Sequence, residues 1–187
     1  MPRFLLFSGA DFWPTGAFVH GGFLWSPNGI QREGFTVKLL AGSGAYRYRS
    51  GALGNVEVTG SQSLGSVMPG WRFGSGKFEL TGYAGLDVQD HRLSHFDPGN
   101  RLHGTHVGLR AGADLWYEPA QSTMLAANVS ASTIGPSYWS RLAAGWRFFE
   151  AVWLGPEIQA LGGPTYEQLR IGVHGTSLKT GAFEWSA

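Results

Sequence analysis

His106-Val107-Gly108-Leu109-Arg110-Ala111-Gly112-Ala113-Asp114-Leu115 is the stretch that decides the fold. Val107, Leu109, Ala111, Ala113 and Leu115 share one parity, while His106, Gly108, Arg110, Gly112 and Asp114 share the other. A strand sends successive side chains to opposite faces, so this segment has one oily and one wet side. In a soluble sandwich the oily side usually holds large residues that fill a core. Here it holds small and medium ones, and charges are spaced along the wet side. That is the pattern of a transmembrane barrel, apolar outside and polar inside.

The same alternation runs through most of the chain. Phe35, Val37, Leu39 and Ala41 oppose Lys38, Gly42 and Gly44. Leu142, Ala144, Trp146 and Phe148 oppose Arg141, Gly145 and Arg147, and Leu169, Ile171 and Val173 oppose Gln168, Arg170 and His174. The first strand, with Phe4-Leu5-Leu6-Phe7, and the fourth match least well. Turn chemistry breaks the pattern at Ser26-Pro27-Asn28-Gly29, Gly74-Ser75-Gly76-Lys77, Glu118-Pro119-Ala120-Gln121 and Gly162-Gly163-Pro164-Thr165. Eleven strands are expected, over 4–11, 16–25, 34–49, 54–72, 77–90, 103–118, 123–133, 138–149, 151–161, 166–177 and 180–187. Single-chain bacterial barrels have an even number of strands, so the expectation is an antiparallel up-and-down barrel of about 12, with the last one trimmed. No linker or charge block interrupts 1–187, which reads as a single domain.

Composition agrees. The 187 residues include 29 glycines, roughly twice the usual share of about 7%, without a triplet period. Eight Trp, 12 Phe and six Tyr supply side chains suited to membrane interfaces. Fourteen basic residues against 13 acidic ones give a net charge of +1, so no nucleic acid or other polyanion is implied as a partner. The absence of cysteine rules out disulfides and thiolate metal sites, and suits passage through an oxidising periplasm. No run reaches the roughly 20 apolar residues of a membrane helix, whereas a barrel strand needs only about 9 to 11. The apolar stretch at Phe4–Phe7 is too short for a secretory signal, so the barrel reading carries the expectation that one has been removed.

Eight blocks in order resemble the cellulose biosynthesis protein BcsS family of alphaproteobacterial envelope proteins. They are Phe7–Trp13 (FSGADFW), Gly34–Leu40 (GFTVKLL), Met68–Phe73 (MPGWRF), Asp97–Leu102 (DPGNRL), Ala113–Pro119 (ADLWYEP), Gly145–Phe148 (GWRF), Leu154–Glu157 (LGPE) and Gly181–Ala187 (GAFEWSA). The resemblance implies a Gram-negative outer-membrane barrel, in contact with lipid and linked to bacterial cellulose production. Its partners would be the cellulose-synthesis machinery or a glucan chain. It carries over no catalytic residue, and no cofactor or metal.

The inward parity collects Lys38, Glu57, Glu79, Asp87, His106, Arg110, Asp114, Arg141, Arg147, Glu157, Arg170, His174 and Glu184. Paired with one another they fill a narrow lumen; left open they line a pore. The near balance of signs favours a plugged lumen with ion pairs. Trp116 and Trp153, inward by parity, are candidates for stacking on a glucan, while Trp residues at strand ends fit interface belts. His91, His95, His103 and His106 crowd the longest connection, beside Asp90, Ser94 and Asp97. An outer-membrane enzyme acting on lipid or peptide, with a His/Asp site in 87–106, is the rival to a non-enzymatic channel or docking element. His103 and His106 differ by three and fall on opposite faces of a regular strand, which argues against a shared metal. If the odd parity of the sixth strand faces lipid, Leu109→Arg blocks assembly and Gly108→Ser does not.

Overall fold

Why these residues form strands follows from the alternation, and a computed structural model shows how the strands assemble. It describes residues 2–148, 152–163, 166–176, 178–180 and 183–185. Ten strands pair in sequence order, each antiparallel to the next. They are β1 (Phe4–Trp13), β2 (Gly16–Trp25), β3 (Gly34–Ser50), β4 (Val56–Ser75), β5 (Phe78–Leu93), β6 (Gly104–Ala120), β7 (Thr123–Ser132), β8 (Ser137–Phe148), β9 (Val152–Gly163) and β10 (Tyr166–Thr176). The fold is all-β and up-and-down, as the alternation indicates. The expected eleventh strand over 180–187 is different: β11 (Leu178–Thr180) and β12 (Phe183–Trp185) pair with one another and not with β10. Three-residue strands are too short to cross a bilayer.

The sheet curls until distant strands meet through their side chains. Lys38 on β3 reaches Asp114 on β6, and Arg170 on β10 reaches Asp11 on β1. No ladder joins β10 to β1 among the described residues, so the structure is a curled half-barrel and not a hydrogen-bonded closed ring. The concave face is tight where glycines face aromatic rings. A Cβ on Gly42 or Gly44 would meet the Phe18 ring at 2.6–2.8 Å, so only glycine lets that ring lie flat on β3.

Burial is inverted relative to an ordinary core. Leu6 is 75% exposed and Ile171 80%, while Asp87 is 0% and His174 1%. Ser66, Thr81, Gln89, His91, Ser132 and Thr176 are also buried on the concave side.

The two ends of the sheet differ. At the near end, around the two-residue β4–β5 turn, outward aromatics gather: Phe4, Trp25, Phe35, Trp71, Phe73, Phe78, Tyr117, Trp146 and Phe148 are exposed. In that turn Gly76 takes φ 60°, a left-handed conformation that costs glycine nothing. At the far end β3 to β6, of 16 to 20 residues each, outrun their neighbours of 10 to 12. Outward residues change character there in a single row. Ala41, Gly65, Val88 and Val107 lie level in register, and the next outward row is Ser43, Ser63, Asp90 and Thr105. Ser43 and Ser63 hydroxyls share a 3.1 Å hydrogen bond, and Thr105 donates to Asp90 at 2.9 Å. Beyond that row the outward residues of β3 and β4 are Ala45, Arg47, Arg49, Glu57, Thr59 and Ser61. Glu57, expected inward, is therefore exposed on the convex side, because even positions of β4 such as Ser66 and Met68 are the buried ones.

Candidate functional site

Asp87 is the centre of the concave face. Alternation on β5 points it inward with Gln89 and His91, and the neighbouring strands surround it with donors. Ser66 on β4 and Ser132 on β7 each donate at 2.6 Å, Gln89 Nε2 donates at 2.8 Å, and Arg110 Nη2 on β6 donates at 3.0 Å. A fully buried carboxylate is stable only when paired and hydrogen-bonded, and this one is both. Gln89 extends the chain, its Oε1 accepting from Gln62 at 3.0 Å and lying 3.1 Å from His91 Nε2.

The other lumen candidates also meet partners. Lys38 Nζ lies 2.7 Å from Asp114, whose second oxygen accepts from Asn128 at 3.0 Å. The same ammonium sits 4.8 Å from the Tyr83 ring centre. Arg141 donates to Glu157 at 2.7 Å, and Gln159 supports that carboxylate at 2.8 Å. Glu79 pairs with Arg72, Arg147 with Glu118 at 3.5 Å, and Arg170 with Asp11 at 3.2 Å. Asp11, Arg72 and Glu118 are the members sequence reasoning missed. Glu118 shares the inward parity of Asp114, marked on the same strand, whereas Asp11 and Arg72 lie on the first and fourth strands, where the alternation is least regular and no residue of their parity was marked. The side chain of Glu184 lies outside the described residues.

Trp116 and Trp153 do come together, edge to face with ring centres 6.2 Å apart. Trp153 is 4% exposed, packed with Met124, Ala126 and Ala143, and Arg147 covers its ring at 4.3 Å. Trp116 donates its indole N–H to Glu118 at 3.0 Å. The pair thus sits inside a packed cluster, with no free face on Trp153.

The longest connection, residues 94–103, crosses the far end. Tyr48 on β3 donates its hydroxyl to Asp97 at 2.8 Å, and Asn100 donates to the Tyr48 oxygen at 3.3 Å. At its other end Leu102 seats against Gly135 in the β7–β8 turn, where a Cβ would come within 2.6 Å. Between these anchors the inward faces of β4 and β5 are covered: Val58 is 0% exposed, and Gln89 and His91 are buried. The Tyr48 hydroxyl, with the Gly99 N–H and Ser50, holds the Asp97 carboxyl below the usual carboxylate range.

The four histidines do not gather at one point. His91 and His106 rings meet edge to face at 6.2 Å, His103 packs on Phe96 at 5.8 Å, and His95 Nδ1 lies 3.1 Å from Ser94 Oγ. Asp90 is engaged by Thr105 and Arg92, and Asp97 by Tyr48. Among the described residues no carboxylate orients His95 for work on Ser94, and no cluster of three metal-ligating side chains forms.

Gly108, whose change to Ser was expected not to block assembly, is more crowded than its wet-side parity suggested. A Cβ there would come within 2.5 Å of Thr133 Oγ1 and 2.7 Å of Ile134 Cγ1, so those side chains must shift.

The family model for cellulose biosynthesis protein BcsS matches residues 5–187. None of the curated proteins compared with the chain matches it, and neither does any solved structure. With the match running almost from end to end, through the strands that carry every ion pair above, the chain belongs to the cellulose biosynthesis protein BcsS family.

Proposed function

We propose that this protein is an outer-membrane half of a cellulose-producing apparatus: a plugged barrel wall that docks machinery or glucan and is neither an open pore nor an enzyme. The observation that carries the reading is the inversion of burial. A face with Leu6, Leu109 and Ile171 more than half exposed is unfavourable in water, at roughly 25 cal/mol per Å² of apolar surface, and favourable in hydrocarbon. From Phe78 to Val88 on β5 and from Val107 to Tyr117 on β6 the outward residues are apolar or small. Each run is about 11 residues, the length that crosses a bilayer when tilted. The near-end aromatics fit an interface girdle, and the polar row from Ser43 to Thr105 fits the opposite boundary.

The longest described connection, residues 94–103, lies at the far end, and such barrels keep their longer connections outside, so in this reading the far end faces outward. The ion pairs and the 94–103 connection fill the concave side. That lining of paired charges supports docking over transport in this reading. The test is reconstitution of the purified protein into planar bilayers. Stable insertion without steady conductance is expected. Steady wild-type conductance would favour transport, and failure to insert would overturn the membrane reading.

A further inference from the structure

At the far end the 94–103 connection runs into β6 beside a pair of histidines. His91 on β5 lies directly opposite Gly104, where a φ of 77° turns the chain from the connection into the strand. The His106 ring, two residues further along β6, meets the His91 ring edge to face at 6.2 Å, and His91 is 5% exposed. We propose that these two imidazoles form an acid-sensitive latch: neutral, they hold the closing end of the connection on β6, and a proton on His91 releases it and uncovers the far mouth of the concave face.

The hydrogen bonds fix where each ring carries its proton. The Gln89 amide N–H groups point to Asp87 and Ser132, so its Oε1 faces His91 and can only accept. His91 Nε2 is therefore the donor of that 3.1 Å bond. The His103 carbonyl likewise only accepts, so His106 Nε2 carries the proton it donates at 3.1 Å. That bond ties the last residue of the connection to the strand. With both Nε2 atoms protonated, each ring is neutral while its Nδ1 is bare. His91 Nδ1 is buried and meets no hydrogen-bond partner among the described residues. A proton there makes a buried cation without an acceptor, which the folded state disfavours.

The surrounding charges do not offset that penalty. On β5, Asp87 is taken by Arg110, Ser66 and Ser132. Asp90 points to the convex side, held by Thr105 and Arg92. On β4 the facing residues are Val58 and Gln62, which carry no charge, and on β6 they are His106 and Arg110, which are basic. In the connection Asp97 is held by Tyr48 of β3 and by the Gly99 N–H, and His95, Arg101 and His103 are basic. Burial, with His106 alongside, pushes His91 below the ordinary histidine range against a smaller pull from Asp90. The closed arrangement is therefore fully stable above that range and loses stability as pH falls through it towards the lower folded value. The Tyr48–Asp97 anchor responds only in the carboxylate range, so the connection opens first from its closing end. The latch depends on the geometry of the far end and not on the membrane reading.

The experiment is hydrogen exchange of the full chain in detergent from about pH 8 to 5, the interval in which histidine titrates. Protection over residues 102–106 is taken relative to the intrinsic exchange rate at each pH. It is expected to fall about tenfold in the wild type, a single proton allowing at most about tenfold per pH unit. In His91→Gln, whose amide can keep the bond to Gln89, protection should not respond to pH. His95→Gln, exposed and outside the pair, should keep the wild-type response. Should His91→Gln fail to fold, imidazole titration of the wild type by NMR decides, with His91 taking its proton in step with the loss of protection. Constant protection in the wild type, a response that survives His91→Gln, or protonation of His91 without loss of protection would each overturn the latch.

Discussion

The wall of the sheet and its far-end projection are made from the same strands, yet they obey opposite rules. In the wall, β5 and β6 turn Leu86, Val88, Val107 and Leu109 outward and enclose Asp87 and Arg110. One row further, the same strands turn Asp90 and Thr105 outward. Nothing in the backbone marks the change, because the ladder continues through it without a shift. The boundary is written only in side chains, as the membrane edge proposed above would require. Charge is treated differently as well. Wall charges are paired and half-covered or buried, while Arg92 in the projection is 81% exposed even though it meets Asp90.

The sharpest way to break this contrast is to remove one charge from each region. Arg110→Ala leaves Asp87 buried without its cation, and the expected loss is about 3 to 5 kcal/mol. Arg92→Ala should cost at most about 1 kcal/mol, since exposed pairs contribute little. Urea unfolding of both variants in lipid measures the difference, and similar midpoints would dissolve the distinction. A smaller effect comes from placing charge on the convex face. Leu109→Arg should cost roughly 2 to 4 kcal/mol and impair membrane assembly. Ser61→Arg, above the polar row, should assemble within about 0.5 kcal/mol of wild type. Equal tolerance would move the membrane boundary or remove it.

Crowding gives a third handle. Gly108→Ser must displace the Thr133 and Ile134 side chains and should cost about 1 to 3 kcal/mol. Gly74→Ser, where a Cβ meets nothing within 4 Å, should be close to silent. Melting temperatures of the two variants check the order.

The smallest effect concerns the 94–103 connection and pH. Asp97 has its carboxyl pulled below the usual range by the Tyr48 hydroxyl, with the Gly99 N–H and Ser50 adding to it. The folded state therefore favours the charged form. Its contribution is complete above the unfolded carboxyl's range and is lost as pH falls through the lower folded value. Protection of the Gly99 amide, taken relative to its intrinsic exchange rate at each pH, should fall in acid in the wild type and lose that pH dependence in Asp97→Asn. Unchanged protection across that range would show that Leu102 in its Gly135 seat holds the connection alone.

Strand existence and facing were legible from the chain because a strand's period of two is local. Reading Val107 to Leu115 needs no knowledge of what lies beside it, and β2, for example, runs over 16–25 as expected. The poorly patterned fourth strand was legible only in half. Its outward positions are apolar from Val67 to Phe73 and polar from Glu57 to Ser63, so no single parity rule describes it. Glu57 was misplaced for that reason. Asp11 was overlooked because Phe4-Leu5-Leu6-Phe7 hides the alternation that resumes after it.

What the sequence alone determined is the inside-out sheet, with its strand order and its paired polar lining. Each follows from side chains that alternate along a strand and from hairpin turns that bring successive strands together. What only the tertiary structure decided is which charge meets which. Lys38 finds Asp114 at a separation of 76 residues, and Arg170 finds Asp11 at 159. The tertiary structure also decided that Trp153 is sealed within a cluster while Trp13 takes the Arg170 guanidinium on its ring. Those facts depend on how far the sheet curls and where each strand stops relative to its neighbours. Curl and stagger are set by packing across the concave face, such as Phe18 on its glycines, and no local period encodes them.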